Sequence, residues 1–291
     1  MQSYSKRIRY RVEYAVFLSV AAIFRALPVE TASAISGWLW RHIASRTSRH
    51  KRALNNLALA FPDKALAARE VIAHDMWENL GRTFAEAFHL REIATSDRIF
   101  VENAAEIEGF NRKVGGKLYC SGHFANWELI VAGMGRHGIK PMAIYQIVKN
   151  PLVDAYLLKE RTFLYTGGLF PKDNQAARHL IRGARKGADA AVLVDLRDHS
   201  GVSVDFFGRP APSSPFPALM VQMLDVPVYM CSFVREANVR FRLNIQPIAL
   251  QRAENREADV ATITASIQAE IEKIVRANPA QWMWAHRRWG R

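Results

Sequence analysis

The chain has 291 residues, enough for one large domain or two small ones and for a core that needs no covalent staples. Its two cysteines, Cys120 and Cys231, both inside apolar runs, exclude a disulfide framework or a four-cysteine zinc site and read as core thiols of a reducing compartment. Forty Lys and Arg against 27 Asp and Glu give a formal net charge of +13, which suits nucleic acid, anionic lipid or a phosphorylated ligand without choosing among them.

The excess is uneven. Over residues 1–52, ten lysines and arginines face only Glu13 and Glu30, a net +8. Between these charges lies "YAVFLSVAAIF" (14–24), then "ISGWLWRHIA" with Trp38 and Trp40. Apolar helix flanked by arginine and tryptophan is an interfacial pattern. The apolar run has 11 residues, which at about 1.5 Å each cover roughly half of a ~30 Å hydrocarbon core. No small-residue cleavage site marks a signal peptide. The expectation is a helix pair lying on or dipping into a membrane face; the alternative is an ordinary buried helix with a solvated basic rim. RNP-like aromatics, helix-turn-helix spacing and KH loops are not evident, which speaks against nucleic acid.

Residues 1–95 read almost wholly helical, with Pro62 and Asp63 as a start signal for the helix that runs to about residue 88. After "ATSD" (94–97), short β-rich runs alternate with helical ones. Strands are expected at "KLYCS", "KPMAIYQIV", "DAAVLVDL" and "VSVDFF", and a hairpin at "VPVYMCSFVRE" and "VRFRLNIQPI". Helices are expected at "NWELIVAGMGRHG", at "NPLVDAYLLKERTFLY" with Asn150 as N-cap, at "DNQAARHLIRGARKG" with Asp173 as N-cap, and from about 257 to 277. The fold class is therefore α/β, a central mostly parallel or mixed sheet flanked by helices. The organisation is a helical membrane-associating subdomain (1–95) and a catalytic region (96–291) within one integrated domain.

The chemistry centres on "SGHFANWELI" (121–130). His123 falls at the carboxyl end of an expected strand, where open α/β sheets place ligands. On one helix, five positions would put His123 and Glu128 about 140° apart. With His123 in the preceding loop, the imidazole can fold back within reach of Glu128, which would fix its tautomer and favour the imidazolium. That is a general base with an orienter and no nucleophile of its own, so the nucleophile would be a substrate hydroxyl. A histidine capping a buried turn is the plain alternative, and a catalytic Cys120 thiol is another, weighed against the usual burial of free cysteine. HExxH, GxSxG and GxxxxGK[ST] are absent, so no metal or nucleotide cofactor is expected.

"GHFANWEL" resembles the His-x4-Glu block of the bacterial lipid A late acyltransferases, the lauroyl and myristoyl transferase family. "RHKRALNNLALAFPD", "IYQIVKNPLVD", "VDLRDHSGVSVDFFGRPAPSSPFPAL" and "QWMWAHRRWG" are similar to further blocks of that family, in the same order. The resemblance implies a glycerolipid-acyltransferase-like fold at the cytoplasmic face of the inner membrane. It implies transfer of a fatty acyl chain from acyl carrier protein to a hydroxyl on a hydroxyacyl chain of a phosphorylated, Kdo-bearing lipid A precursor. His123 and Glu128 would be catalytic, with backbone N–H groups at 124–127 as oxyanion donors. Asn126, Arg161 and Asp195 would bind substrate, Arg161 clamping phosphate; a solvated Arg161 and a structural, salt-bridged Asp195 are the alternatives. Arg287 and Arg288 would face headgroups, with Trp282, Trp284 and Trp289 at the interface; core packing of a C-terminal tail is the alternative. Two positions depart from the family pattern: Gln146 stands for an arginine and Leu196 for a glutamine. They leave open an acyltransferase for a different glycolipid, alongside a non-enzymatic basic membrane-binding protein.

Overall fold

The computed structural model describes residues 4–111 and 115–290. Five helices come first: α1 (Tyr4–Arg25), α2 (Val29–Ile43), α3 (Ser48–Ala60), α4 (Leu66–Glu86) and the short α5 (Leu90–Thr95). α1 buries Tyr10, Ala21 and Phe24 along one face, Phe24 stacking on Phe88. Ile8, Val12, Val16 and Ile23 on α1, and Ile35, Trp38, Leu39 and Ile43 on α2, stay exposed. α2 and α4 cross closely because Gly37 and Gly81 lie at the crossing: a Cβ on Gly81 would meet the Ser36 carbonyl at 2.5 Å. Ser36 Oγ donates to the Gly81 carbonyl there at 2.7 Å. Among the described residues, no helix is long and apolar enough to cross a membrane.

The rest of the chain alternates strand and helix: β1 (Ile99–Val101), α6 (Ala104–Asn111), β2 (Leu118–Ser121), a 3-10 turn (Trp127–Leu129) leading into α7 (Ile130–Gly135), and β3 (Met142–Tyr145). Then follow α8 (Pro151–Thr162), β4 (Leu169–Pro171), α9 (Ala176–Arg185), β5 (Ala190–Leu193), β6 (Arg197–Asp205) and β7 (Pro210–Ser213). α10 (Phe216–Leu224), β8 (Val228–Ala237), β9 (Arg240–Pro247) and α11 (Arg256–Ala277) complete it. Seven strands form one sheet in the order β1-β9-β8-β2-β5-β3-β4; only the β8–β9 hairpin is antiparallel. β6 and β7 pair separately. This is the α/β sheet the alternation predicts, mixed and mostly parallel.

Both faces of the central strands are covered, as parallel sheets require. Leu118, Cys120, Val228 and Met230 face one core with α3, α4 and α11. Tyr119, Tyr229, Cys231 and Phe233 face the other with α7. Leu57, Met76 and Trp77 of α3 and α4 share the first core with the strands.

Local chemistry accounts for several boundaries. Asn150 caps α8, its Oδ1 accepting from Leu152 N–H at 3.1 Å while its Nδ2 donates to the Tyr10 carbonyl at 2.9 Å. Asp173 Oδ1 accepts from the N–H groups of Gln175 and Ala176 ahead of α9. Two expectations need correction. α4 starts at Leu66 rather than at Pro62–Asp63, without a side-chain cap. Trp282, Trp284 and Arg288 are no headgroup contact, for all three are fully buried; Trp289 is half-buried, and only Arg287 of the arginine pair is exposed. Arg288 donates to the Pro212 carbonyl, Ser213 Oγ and Gln268 Oε1, three neutral acceptors inside the core, and its Nε has no hydrogen-bond partner among the described residues.

Candidate active site

His123 and Asp195 stand just past the carboxyl ends of β2 and β5, which pair in register from Leu118↔Ala190 to Ser121↔Leu193. Two strands side by side thus bring together residues 72 positions apart. Gly122 permits the approach: a Cβ there would lie 3.1 Å from the Asp195 carboxyl carbon and 2.7 Å from the Phe124 ring. The Asp195 carboxylate accepts three hydrogen bonds, each 2.8 Å long: from the His123 backbone N–H, from His123 Nδ1 and from the Trp282 indole N–H.

A carboxylate with three N–H donors is the charged form, and an ionised Asp195 can only accept, so His123 carries its proton on Nδ1 and leaves Nε2 with a lone pair. Burial alone would lift the Asp195 pKa. The His123 charge and the two hydrogen bonds from His123 outweigh it and hold the carboxyl far below the usual range. Burial would likewise lower the His123 pKa, but the charges of Asp195 and Glu128 raise it on balance. The neighbouring His286 is pushed down by burial, which favours its neutral form, and Arg288 is pulled down to about 10 by the same cause.

The imidazole's orienting partner is therefore Asp195 and not Glu128. The loop after β2 swings the ring toward the end of β5, and Glu128 turns the other way. Glu128 Oε1 pairs with Arg161 Nη2 at 2.9 Å, and its Oε2 accepts from Tyr165 at 3.3 Å. Burial, with Glu128 next, holds the Tyr165 phenol well above its ordinary pKa, so it is a neutral donor.

His123, Glu128, Arg161 and Tyr165 all line one cavity of about 830 Å³, within the size range of small-molecule sites. Its wall includes apolar Ile130, Val131, Met134 and Ala191, and also the exposed Gln146 and Lys172. Leu196 lines it too. Asp195 lies behind the wall, fully buried. Asn126 is also buried and away from the cavity, its Nδ2 donating to Glu86 at 3.0 Å. Of the expected oxyanion donors, Phe124 and Ala125 N–H are committed to the carbonyls of Gly122 and Gln281, which leaves Asn126 and Trp127. Cys120 is fully buried and its thiol is pushed far up by burial, the opposite of an activated nucleophile. Trp282 and Tyr165 are the site residues that sequence reasoning missed. Trp282 was legible only as part of "QWMWAHRRWG", which says nothing about an indole reaching Asp195.

One group among the described residues has donors spaced for a metal: His50, Glu70 and His74. The Trp77 indole donates to His50 Nδ1 at 3.1 Å, so the proton of His50 sits on Nε2 and is given to Glu70 at 2.9 Å. That nitrogen is not a lone-pair donor to an ion in this arrangement.

The whole chain, residues 1–291, matches the family model for the bacterial lipid A biosynthesis acyltransferases. Two curated relatives align at 25% identity over 247 residues, 81% of this chain and 74% of theirs. They are the lipid A biosynthesis myristoyltransferase of Escherichia coli K12 and lipid A biosynthesis acyltransferase 1 of Shigella flexneri.

Proposed function

Since this chain belongs to the bacterial lipid A biosynthesis acyltransferase family and is an acyltransferase, we propose that it moves a fatty acyl chain from acyl carrier protein to a hydroxyl on a hydroxyacyl chain of a phosphorylated, Kdo-bearing lipid A precursor. The observation that carries this reading is the His123–Asp195 pair opening on a largely apolar cavity. His123 Nε2 takes the acceptor's hydroxyl proton. The oxygen adds to the thioester carbonyl, and the tetrahedral oxyanion collapses with cleavage of the carbon–sulfur bond. The imidazolium returns its proton to the departing thiolate. Base assistance of this kind contributes typically ~10²–10⁴-fold.

Asp195 keeps the tautomer and favours the imidazolium, and Glu128 adds a second negative charge on the cavity side. The apolar wall takes acyl chain, while Arg161 and Lys172 supply positive charge for phosphate. No cofactor or metal is needed for these steps. The exposed apolar residues of α1 and α2, set among arginines, support attachment to the cytoplasmic face of the inner membrane.

Gln146 and Leu196 on the cavity wall favour one second reading, the same chemistry on a differently headed glycolipid. The test is transfer of a labelled acyl chain from acyl carrier protein to the tetraacylated, Kdo-bearing precursor by the purified protein. Product from that acceptor supports the first reading. Product only from an unphosphorylated or differently headed glycolipid supports the second.

A further inference from the structure

Two buried charges have no part in the steps above. Glu86, at the end of α4, is fully buried, and the Arg235 side chain on β8 is 9% exposed. They meet fork to fork, Nη1 to Oε1 and Nη2 to Oε2, the latter at 2.9 Å. Arg235 also donates to Asn79 Oδ1 at 3.0 Å and to the Asn238 carbonyl at 2.9 Å. Glu86 accepts in addition from Ser33 Oγ at 2.8 Å and from Asn126 Nδ2 at 3.0 Å. A buried ion pair is a poor stabiliser, because desolvation consumes what attraction supplies, and an apolar pair of similar volume serves as well. Stability alone does not account for it.

The pair's neighbours converge on the loop between β2 and Trp127, the loop that carries His123. Asn126 is tied to Glu86 directly. Thr83, one turn back on α4, has its hydroxyl 2.8 Å from the Ala125 carbonyl and shares its single proton between that oxygen and the Asn79 carbonyl at 2.9 Å. Ala125 N–H donates to the Gln281 carbonyl at 3.1 Å. The Gln281 side chain in turn bonds both main-chain groups of Arg235, at 2.7 and 2.8 Å. Ala125 itself has φ +43°, a left-handed conformation in a residue that is not glycine. Such a residue costs about 1–3 kcal/mol and persists only where its surroundings over-determine it. Here they do, on both sides of the peptide.

We infer that Glu86 and Arg235 are positioning residues of the acyl transfer: through Asn126, Thr83 and Gln281 they hold the 122–126 loop in the strained conformation that delivers His123 to Asp195 and to the cavity. The inference rests on His123 being the base. It also gives the N-terminal helices a part in the chemistry, since Ser33 and Glu86 belong to α2 and α4.

The test cuts the ties and spares the ion pair. Asn126→Ala and Thr83→Val should lower kcat roughly 10- to 100-fold with KM unchanged, as expected when a reacting group is misplaced by about 1 Å. Thr83→Ser, which keeps the hydroxyl, should restore turnover. Glu86→Gln should act in the same direction if it folds. A readout independent of turnover is the titration of His123 by NMR, which should move toward the ordinary histidine value in Asn126→Ala. Variants that melt lower but keep wild-type kcat and His123 titration would make the network purely structural and overturn the inference. So would variants indistinguishable from wild type. Full activity in His123→Ala is a separate result: it removes the base, while the NMR titration still reports whether the loop is held.

Discussion

Asp195 grips His123 twice with one carboxylate, Oδ2 on the backbone N–H and Oδ1 on the imidazole Nδ1, each at 2.8 Å. The first contact fixes where the residue is and the second fixes which nitrogen is the base. Asp195→Asn keeps the shape but loses the charge, and its amide can present N–H to Nδ1 and reverse the tautomer. It should lower kcat by about 10²–10⁴-fold, as should His123→Ala, with the fold retained. Steady-state kinetics beside circular dichroism decide it; near-normal turnover of folded His123→Ala defeats the mechanism. Cys120→Ala should keep its activity, since the thiol is buried in the core.

The same pair sets the pH dependence. His123 titrates above its ordinary value of 6.5 because Asp195 and Glu128 outweigh burial. A base must be neutral, so kcat/KM should rise with pH along a limb centred above 6.5. In Asp195→Asn that limb should move down. Stability runs the opposite way: a raised folded pKa contributes stability that is fully present below about 6.5 and lost as pH rises through the folded value. Asp195, held low, contributes stability present above its ordinary value and lost as pH falls through the lowered one. Over the window just above 6.5 the enzyme should gain rate and lose thermal stability together; pH–rate profiles and melts in the same buffers test this.

Much of this site was legible in the sequence because its signals are local. The alternation of short apolar runs with capped helices yields the sheet, and "SGHFANWELI" puts His123 at a strand end. What was not legible is set by neighbours distant in the chain. Five residues separate Glu128 from His123, so Glu128 looks like the orienter, yet the β2–β5 pairing places Asp195 closer. Local spacing cannot reveal strand order. The three-residue strands β1 and β4 carry too few residues for any alternation. The tryptophans near the C-terminus read as interfacial because composition cannot distinguish a tryptophan at a membrane from one filling a core.

Glu128 and Arg161 should behave as a unit. Arg161→Ala removes a charge from the cavity wall and leaves Glu128 with Tyr165 alone. A lost charge-assisted hydrogen bond is worth about 1.5–3 kcal/mol, so kcat/KM for the acceptor should fall roughly 10- to 100-fold, mostly through KM. Glu128→Gln removes one of the charges that raise His123 and should shift the acid limb downward. Gln146→Arg should be tolerated, because Gln146 is exposed at the cavity. Lys149 is exposed and outside the cavity wall, so Lys149→Ala should change little. Acceptor titrations at saturating donor separate these outcomes.

Membrane attachment is best tested by point substitution, not by truncation. Deleting residues 1–46 would remove Ala21, Phe24 and Ala32, which pack with Ala85 and Phe88, and Ser33, which bonds Glu86. Ile8, Val12 and Val16 are 47%, 58% and 60% exposed and recur every four residues, so they form one stripe on α1 apart from its buried face of Tyr10, Ala21 and Phe24. Full burial of such a side chain is worth about 1.5–3 kcal/mol, and an interfacial helix gains part of that for each. The triple variant Ile8→Ser, Val12→Ser, Val16→Ser should therefore fold with a wild-type melt and lose most of its binding to vesicles containing anionic lipid. High salt should weaken wild-type binding without abolishing it, since screening removes only the share contributed by residues such as Arg7 and Arg11. In the triple variant that electrostatic share is what remains, so salt should release it almost completely. Vesicle sedimentation of both proteins at low and high salt gives the four values required. Equal binding of variant and wild type at high salt would show that the α1 stripe does not meet the membrane.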